Sequence, residues 1–109
     1  MKTTPHFIAQ LSYLPTGDGG RQTPARSGYR PHIEFDHIPG KRTTGMQRFI
    51  GQEWVEPGQT VEAEITVVSP KFFSGKIQVG DTFTFDEGPR VVGTGVVKEV
   101  VDERLMKKN

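Results

Sequence analysis

Glycine next to lysine is the combination that binds nucleotide phosphates, and it occurs here in the run Gly40-Lys41-Arg42-Thr43. A phosphate-binding loop would also need glycine at position 35 and serine or threonine at position 42. The chain has Phe35 and Arg42 at these positions, and no strand-to-helix pattern surrounds them. The sequence therefore predicts no nucleotide binding of this kind.

The histidines and paired carboxylates give equally little support for catalysis. His32 and His37, five residues apart, are a weak zinc pair, and surface or turn positions explain them and His6 equally well. Glu62 and Glu64 share one face of a strand, where they solvate the surface instead of acting as an acid–base pair. There is no cysteine, which excludes thiolate chemistry and disulfides. The sequence predicts no enzyme, no metal site and no cofactor.

Length and composition favour one small domain rich in turns. The 109 residues include 13 glycines and 8 prolines, too many for a helical bundle. No apolar run approaches the roughly 20 residues that span a bilayer, so we expect a soluble cytoplasmic protein with no membrane contact. Residues 1–50 carry seven Lys/Arg against three Asp/Glu, and residues 51–109 carry seven against ten. Such asymmetry occurs at faces that bind polyanions, and also in ordinary surface scatter.

Apolar residues alternate with polar ones along most of the chain. The clearest strand places Val61, Ala63, Ile65 and Val67 on one face. Because about six such segments are joined by Gly/Pro turns, we expect an all-β fold, and we prefer a closed barrel since closure removes exposed edges. The predicted strands are residues 6–14, 29–35, 46–55, 60–68, around 83–85, and 90–101, with a polar loop at Asp36–Gly45.

The alternating pattern does not place Trp54 or the charged residues 102–109. Trp54 follows Phe49-Ile50, and it is either a core residue beneath the Pro57-Gly58 turn or an exposed anchor for a partner. We favour the core. The charged residues 102–109 are expected to fray as a tail.

Two segments carry a more specific signal. The first reads GGRQTP at residues 19–24 and GYRPH at 28–32, and the second reads GPRVVGTGVV at 88–97. They resemble the G-G-R-H-T-P, G-Y-R-P-Q and G-G-R-T-V-G-x-G-V-V stretches of the C-terminal (third) domain of translation elongation factor Tu. Pro57-Gly58 and Ser69-Pro70 also fall in the expected order, so the resemblance covers about residues 6–101.

The resemblance implies one domain, residues 1–109: a six-stranded antiparallel Greek-key β-barrel over about 6–101, followed by the tail. In the family this domain accompanies a GTPase domain and a second barrel. It contacts the T-stem of aminoacyl-tRNA, an exchange factor and the GTPase domain. We expect a stand-alone module without the GTPase domain, whose partner is tRNA or other structured RNA, or a translational GTPase.

The resemblance also implies which residues bind. Arg21 matches the family arginine near the RNA backbone, Gln22 replaces a histidine, Thr23 matches, and His32 replaces a glutamine. The full set of candidate RNA- or partner-binding residues is Arg21, Gln22, Thr23, Arg26, Arg30, His32, Lys41, Arg42, Gly93 and Gly95.

Other interpretations of the same residues stay open. The matching segments serve equally well to form the turns and core of the barrel. Residues 36–45 and 71–81 depart from the family pattern, which puts the family's contacts there in doubt. A regulatory or protein-interaction module that mimics the domain without binding RNA is the alternative function.

Overall fold

The computed structural model describes residues 4–108, and these form a closed six-stranded antiparallel barrel. Two further short strands pair as a separate ribbon, and three short 3₁₀ turns lie between or after the strands. The barrel strands are β1 (Phe7–Tyr13), β3 (His32–Phe35), β4 (Thr43–Phe49), β6 (Thr60–Val67), β7 (Thr82–Glu87) and β8 (Arg90–Val100). The ribbon strands are β2 (Ala25–Arg26) and β5 (Trp54–Val55), and the 3₁₀ turns are Thr16–Asp18, Pro70–Phe73 and Glu103–Leu105.

The strands follow one another around the barrel in the order β1-β6-β4-β3-β7-β8, and β8 closes against β1. Strands β3, β4 and β6 form a meander, after which β7 returns to pair with β3. A fourth strand beside the first of three is the Greek-key arrangement. The predicted all-β barrel is therefore confirmed.

The predicted alternation fills the barrel interior. Phe7, Ala9, Leu11 and Tyr13 of β1 all point inward and are buried. The interior is unusually aromatic. The ring of Phe35 lies 5.2 Å from the ring of Phe83 and 5.7 Å from that of Phe7, centroid to centroid. Tilted and edge-on pairs at such distances stabilise a core beyond the area that they bury.

The predicted loop Asp36–Gly45 is too long by three residues. Strand β4 already begins at Thr43, which is buried, and it pairs with β3 through Thr43 and Ile33. Gly45 faces inward, where a Cβ would lie 2.8 Å from Cγ2 of Ile33. Two threonines and a glycine carry little apolar signal, so the buried start of this strand was not visible in the hydrophobic pattern.

The core placement of Trp54 is wrong, because its side chain is 52% exposed. Trp54 belongs to the β2–β5 ribbon, where it pairs with Arg26 while the next residue, Val55, pairs with Ala25. Ala25 and Val55 are fully buried. Adjacent residues of a strand point to opposite faces, so Val55 takes the buried position and Trp54 faces outward.

Residues 102–107, which we call the C-terminal strap, pack on the barrel instead of fraying. Leu105 is 1% exposed, and the Leu105 carbonyl accepts a hydrogen bond from Ile77 N (2.9 Å). Lys107 N donates to Ile77 O (2.8 Å), and Gly75 N donates to Arg104 O (2.9 Å). One buried leucine among charged residues gave no periodic signal, yet it holds the segment in place.

Candidate RNA- or partner-binding site

The turn between β7 and β8, residues 86–90, forms a hairpin tip at one end of the barrel. The two segments that carry the resemblance meet here, because Arg21 and Tyr29 both bond the same carboxylate oxygen of Glu87. The Arg21 guanidinium also lies over the Tyr29 ring, 4.6 Å from its centroid. The remaining Arg21 donors reach Thr23 O (3.2 Å), Thr23 Oγ1 (3.2 Å) and Pro24 O (3.3 Å).

Arg21 therefore braces the tip from inside the loop. Its side chain is only 18% exposed, and its bonds to neighbouring acceptors occupy the guanidinium. The resemblance led us to expect Arg21 near an RNA backbone, but its donors are engaged by groups of the protein itself. A guanidinium held between a carboxylate and an aromatic ring makes a rigid support, not a free cation.

A second arginine holds the other side of the tip. Arg42 bonds both carboxylate oxygens of Asp86, and its Nη2 also donates to Gly88 O (2.7 Å). His32 pairs with Asp86 in the β3–β7 register, and its Nδ1 lies 3.8 Å from Asp86 Oδ1. Arg42 comes from the loop between β3 and β4, so the tip is held by side chains from two separate loops.

Two donors at the tip keep the same protonation state at physiological pH. Burial, together with the hydrogen bond to Glu87, raises the pKa of the Tyr29 hydroxyl well above its usual value, so Tyr29 stays a neutral donor. The hydrogen bond to Asp86 raises the pKa of the Arg42 guanidinium, which is permanently charged in any case. Tyr29 and Arg42 therefore remain able to donate to Glu87 and Asp86.

Two other arginines leave their charge on the surface around the tip. Arg30 follows Tyr29, and Arg90 lies opposite Glu87 in the β7–β8 register. Both are exposed, and neither forms an ion pair with any residue from 4 to 108. Exposed Gln22 lies beside Arg21 in sequence, and the His32 side chain is 50% exposed. We call Gln22, Arg30, His32, Arg42 and Arg90 the tip rim.

The other sequence candidates lie elsewhere. Arg26 pairs with Glu53 (Nη2 to Oε1, 3.0 Å) and lies over the Trp54 ring, 5.6 Å from its centroid. Lys41 lies over Phe72, with Nζ 5.3 Å from the ring centroid. Arg26 and Lys41 each contact a different aromatic ring, and neither belongs to the tip rim.

Gly93 and Gly95 are inside the barrel. A Cβ on Gly93 would meet Phe85 Cζ at 2.1 Å, and a Cβ on Gly95 would meet Phe83 Cζ at 2.2 Å. The close approach that these glycines permit is made by core rings. Both glycines are buried in β8.

Sequence reasoning passed over Tyr29, Asp86, Glu87 and Arg90 as site residues. In the sequence, Asp86 and Glu87 only mark the end of a strand before a Gly-Pro turn, and Arg90 belongs to the second matching segment without an assigned role. Only the folded barrel, in which β7 pairs with both β3 and β8, puts these carboxylates against two distant arginines. An alternating charge pattern, acidic before the turn and basic after it, is the one signal that the sequence offered.

Residues 4–108 contain no group of three metal-ligating side chains close enough to hold a metal ion. The same part of the chain has no helix that is long and apolar enough to cross a bilayer.

A comparison with known protein families completes the assignment. The family model described as the elongation factor Tu C-terminal domain matches residues 1–101. That match covers nearly the whole chain, and it agrees with the closed six-stranded barrel and with the segments that meet at the tip. The chain belongs to the elongation factor Tu C-terminal domain family.

Proposed function

We propose that this protein is a non-catalytic binding module of the translation apparatus, and that its tip rim contacts the phosphate backbone of structured RNA such as a tRNA stem. The observation that carries the proposal is the braced tip: Arg21 and Arg42 hold Glu87 and Asp86, and exposed Arg30 and Arg90 flank them.

The arrangement suits a polyanionic helix. Arg21 and Arg42 are balanced by the two carboxylates, so Arg30 and Arg90 supply the excess positive charge of the rim. A guanidinium is a good match for phosphate geometry. Duplex RNA is recognised through its backbone and A-form shape, so little base readout is needed.

The test removes the charges of Arg30 and Arg90 and leaves Arg21 and Arg42 unchanged. Arg30→Gln/Arg90→Gln should weaken binding to a tRNA and to unrelated RNA hairpins about equally, because phosphate contacts carry no sequence information. The slope of log affinity against log salt should fall by roughly one to two units. Lys98→Gln, an exposed cation eight positions further along β8, is the matched control and should leave the slope unchanged.

Two results would overturn the RNA proposal. One is a parent protein with no salt-sensitive RNA affinity at low ionic strength. The other is an equal loss of affinity in Lys98→Gln and in the double variant, since that would indicate attraction to net charge alone.

A second candidate, binding to a protein such as a translational GTPase, is favoured by Trp54. This side chain is 52% exposed on the ribbon, and Ile50, 44% exposed, follows the end of β4. Exposed tryptophan with a neighbouring arginine is the composition of interface hot spots. Trp54→Ala should then reduce capture of a protein partner by the tagged chain in nuclease-treated lysate, whereas the Arg30/Arg90 variant should retain it.

A further inference from the structure

A pocket of about 330 Å³ lies at the end of the barrel opposite the tip. It forms where the C-terminal strap meets residues 75–81 and the loop between β3 and β4. Antiparallel pairing explains its distance from the tip: β7 begins and β8 ends on this side, whereas the tip joins their other ends. The tip rim has no part in it.

The pocket depends on the pairing of the C-terminal strap with residues 75–77. Ile77 N donates to Leu105 O (2.9 Å), and Lys107 N donates to Ile77 O (2.8 Å), so the strap runs alongside residues 75–77. This pairing brings Lys107 and Lys76 into the lining of one cavity. Lys107 lies beyond residue 101, where the family match ends.

Positive charge exceeds negative charge in the lining. Lys76 and Lys107 are both exposed, and Asp81 is the one acidic residue among the lining groups. The Asp81 carboxylate is already engaged: it accepts from Gln78 N (2.9 Å), and it lies 3.4 Å from His37 Nε2. The two ammonium groups have no carboxylate within ion-pair distance among residues 4–108.

The imidazole of His37 forms one wall of the pocket, and contacts with Lys76 and Phe35 fix its position. Its Nε2 lies 2.8 Å from Lys76 O, and because a carbonyl only accepts, Nε2 carries the proton. The ring packs edge-on against Phe35, 5.5 Å between centroids. His37 is therefore held in place before any ligand arrives, which lowers the ordering cost of binding.

From this geometry we propose that the pocket binds a small dianionic oxyanion, such as a phosphate monoester or a dicarboxylate. Two lysines that approach one cavity from different segments match two negative charges. His37 and Gln78 are the polar uncharged residues of the lining. This inference is independent of the tip rim, so either proposal stands if the other fails.

The test uses inorganic phosphate, titrated at constant pH and ionic strength against chloride, with backbone amide NMR shifts as the readout. The Lys76, Gln78 and Lys107 amides should shift and saturate in the millimolar range. Lys107→Gln should weaken the affinity about tenfold, the effect of losing one charge-assisted hydrogen bond, while Lys107→Arg should keep most of it.

Arg48→Gln, on the distant face of β4 opposite Glu64, is the matched control and should leave the titration unchanged. Lys76→Gln is a second loss-of-charge variant in case Lys107→Gln perturbs the strap, and the unliganded spectrum reports that perturbation. Shifts that never saturate, or that fall equally in Arg48→Gln, would overturn the proposal. Retention of full affinity in both lysine variants would overturn it too.

Discussion

The ring of Phe85 lies directly over Gly93, so close that a Cβ on the glycine would stand 2.1 Å from Cζ of the ring. Phe85 is fully buried and also contacts Tyr13, with the ring centroids 5.0 Å apart. The glycine-rich part of β8 is thus required by the aromatic core, and this requirement explains part of the family pattern without any reference to binding.

Gly93→Ala should therefore be severely destabilising. Phe85 is fully buried, so its ring has to shift against neighbouring core side chains to accept the Cβ, and overpacking a core typically costs about 1–3 kcal/mol. Thr94→Ala, at the exposed neighbouring position, is the control and should cost less than about 1 kcal/mol. Urea denaturation measures both. Equal free energies of unfolding for the two variants would contradict the packing argument.

Replacing Arg21 should lower the stability of the fold more than replacing Arg30. Arg21→Ala removes the brace on Glu87 and the contact with Tyr29, and we expect a loss of about 1–2 kcal/mol, since Glu87 stays partly solvated and keeps the Tyr29 bond. Arg30→Ala removes an exposed charge and should stay within about 0.5 kcal/mol of the parent. Thermal unfolding of both variants is the measurement; an unchanged melting temperature for Arg21→Ala would mean that the brace is not structural.

His6 should make the fold sensitive to mild acid. Its Nδ1 accepts a hydrogen bond from Val67 N (2.9 Å), which requires an unprotonated Nδ1. Burial lowers the pKa of His6 below its ordinary 6.5, with Asp102 partly opposing the shift and Arg104 adding to it. The unfolded chain therefore binds a proton more readily than the folded one. Stability is fully present above about pH 6.5 and falls as the pH drops through the folded pKa.

The measurement is the free energy of unfolding from urea titrations between about pH 7 and pH 5, a range set by the ordinary histidine value. His6→Gln should flatten the slope over this range, whereas His32→Gln, at a half-exposed site, should not. Asp102 is separable from His6, because hydrogen bonds from Arg104 lower the pKa of Asp102 to about 2. An unchanged slope in His6→Gln would assign the acid sensitivity to other groups.

Tyr13 and Gln47 form a buried polar pair that a double variant can dissect. The Tyr13 hydroxyl donates to Gln47 Oε1, but Gln47 Nε2 has no hydrogen-bond partner among residues 4–108 although the residue is fully buried. Tyr13→Phe and Gln47→Met should each destabilise by about 1–3 kcal/mol, because each leaves a buried polar group unpaired. The double variant removes every unpaired atom and should be more stable than either single one. Additive losses would contradict this.

Local chemistry was enough to predict the strands with regular alternation, but not the predicted strand 46–55, which is two separate strands, Thr43–Phe49 and Trp54–Val55. The side-chain period of two placed Val61, Ala63, Ile65 and Val67 inward correctly, because a strand with one buried face has to alternate. Where the buried residues were small or polar, as at Thr43 and Gln47, the same pattern gave little guidance. Trp54 was misplaced because its exposure depends on which face of a short ribbon meets the barrel.

The sequence by itself determined an all-β chain, its turns and the family to which it belongs, since alternation, Gly/Pro turns and two ordered motifs are local features. Only the tertiary structure decided which arginines remain available at the surface. Arg21 and Arg42 look alike in sequence to Arg30 and Arg90, yet the closed barrel sets the first pair against Glu87 and Asp86, 66 and 44 residues away. Charge pairing across such separations depends on strand register, which no local pattern specifies.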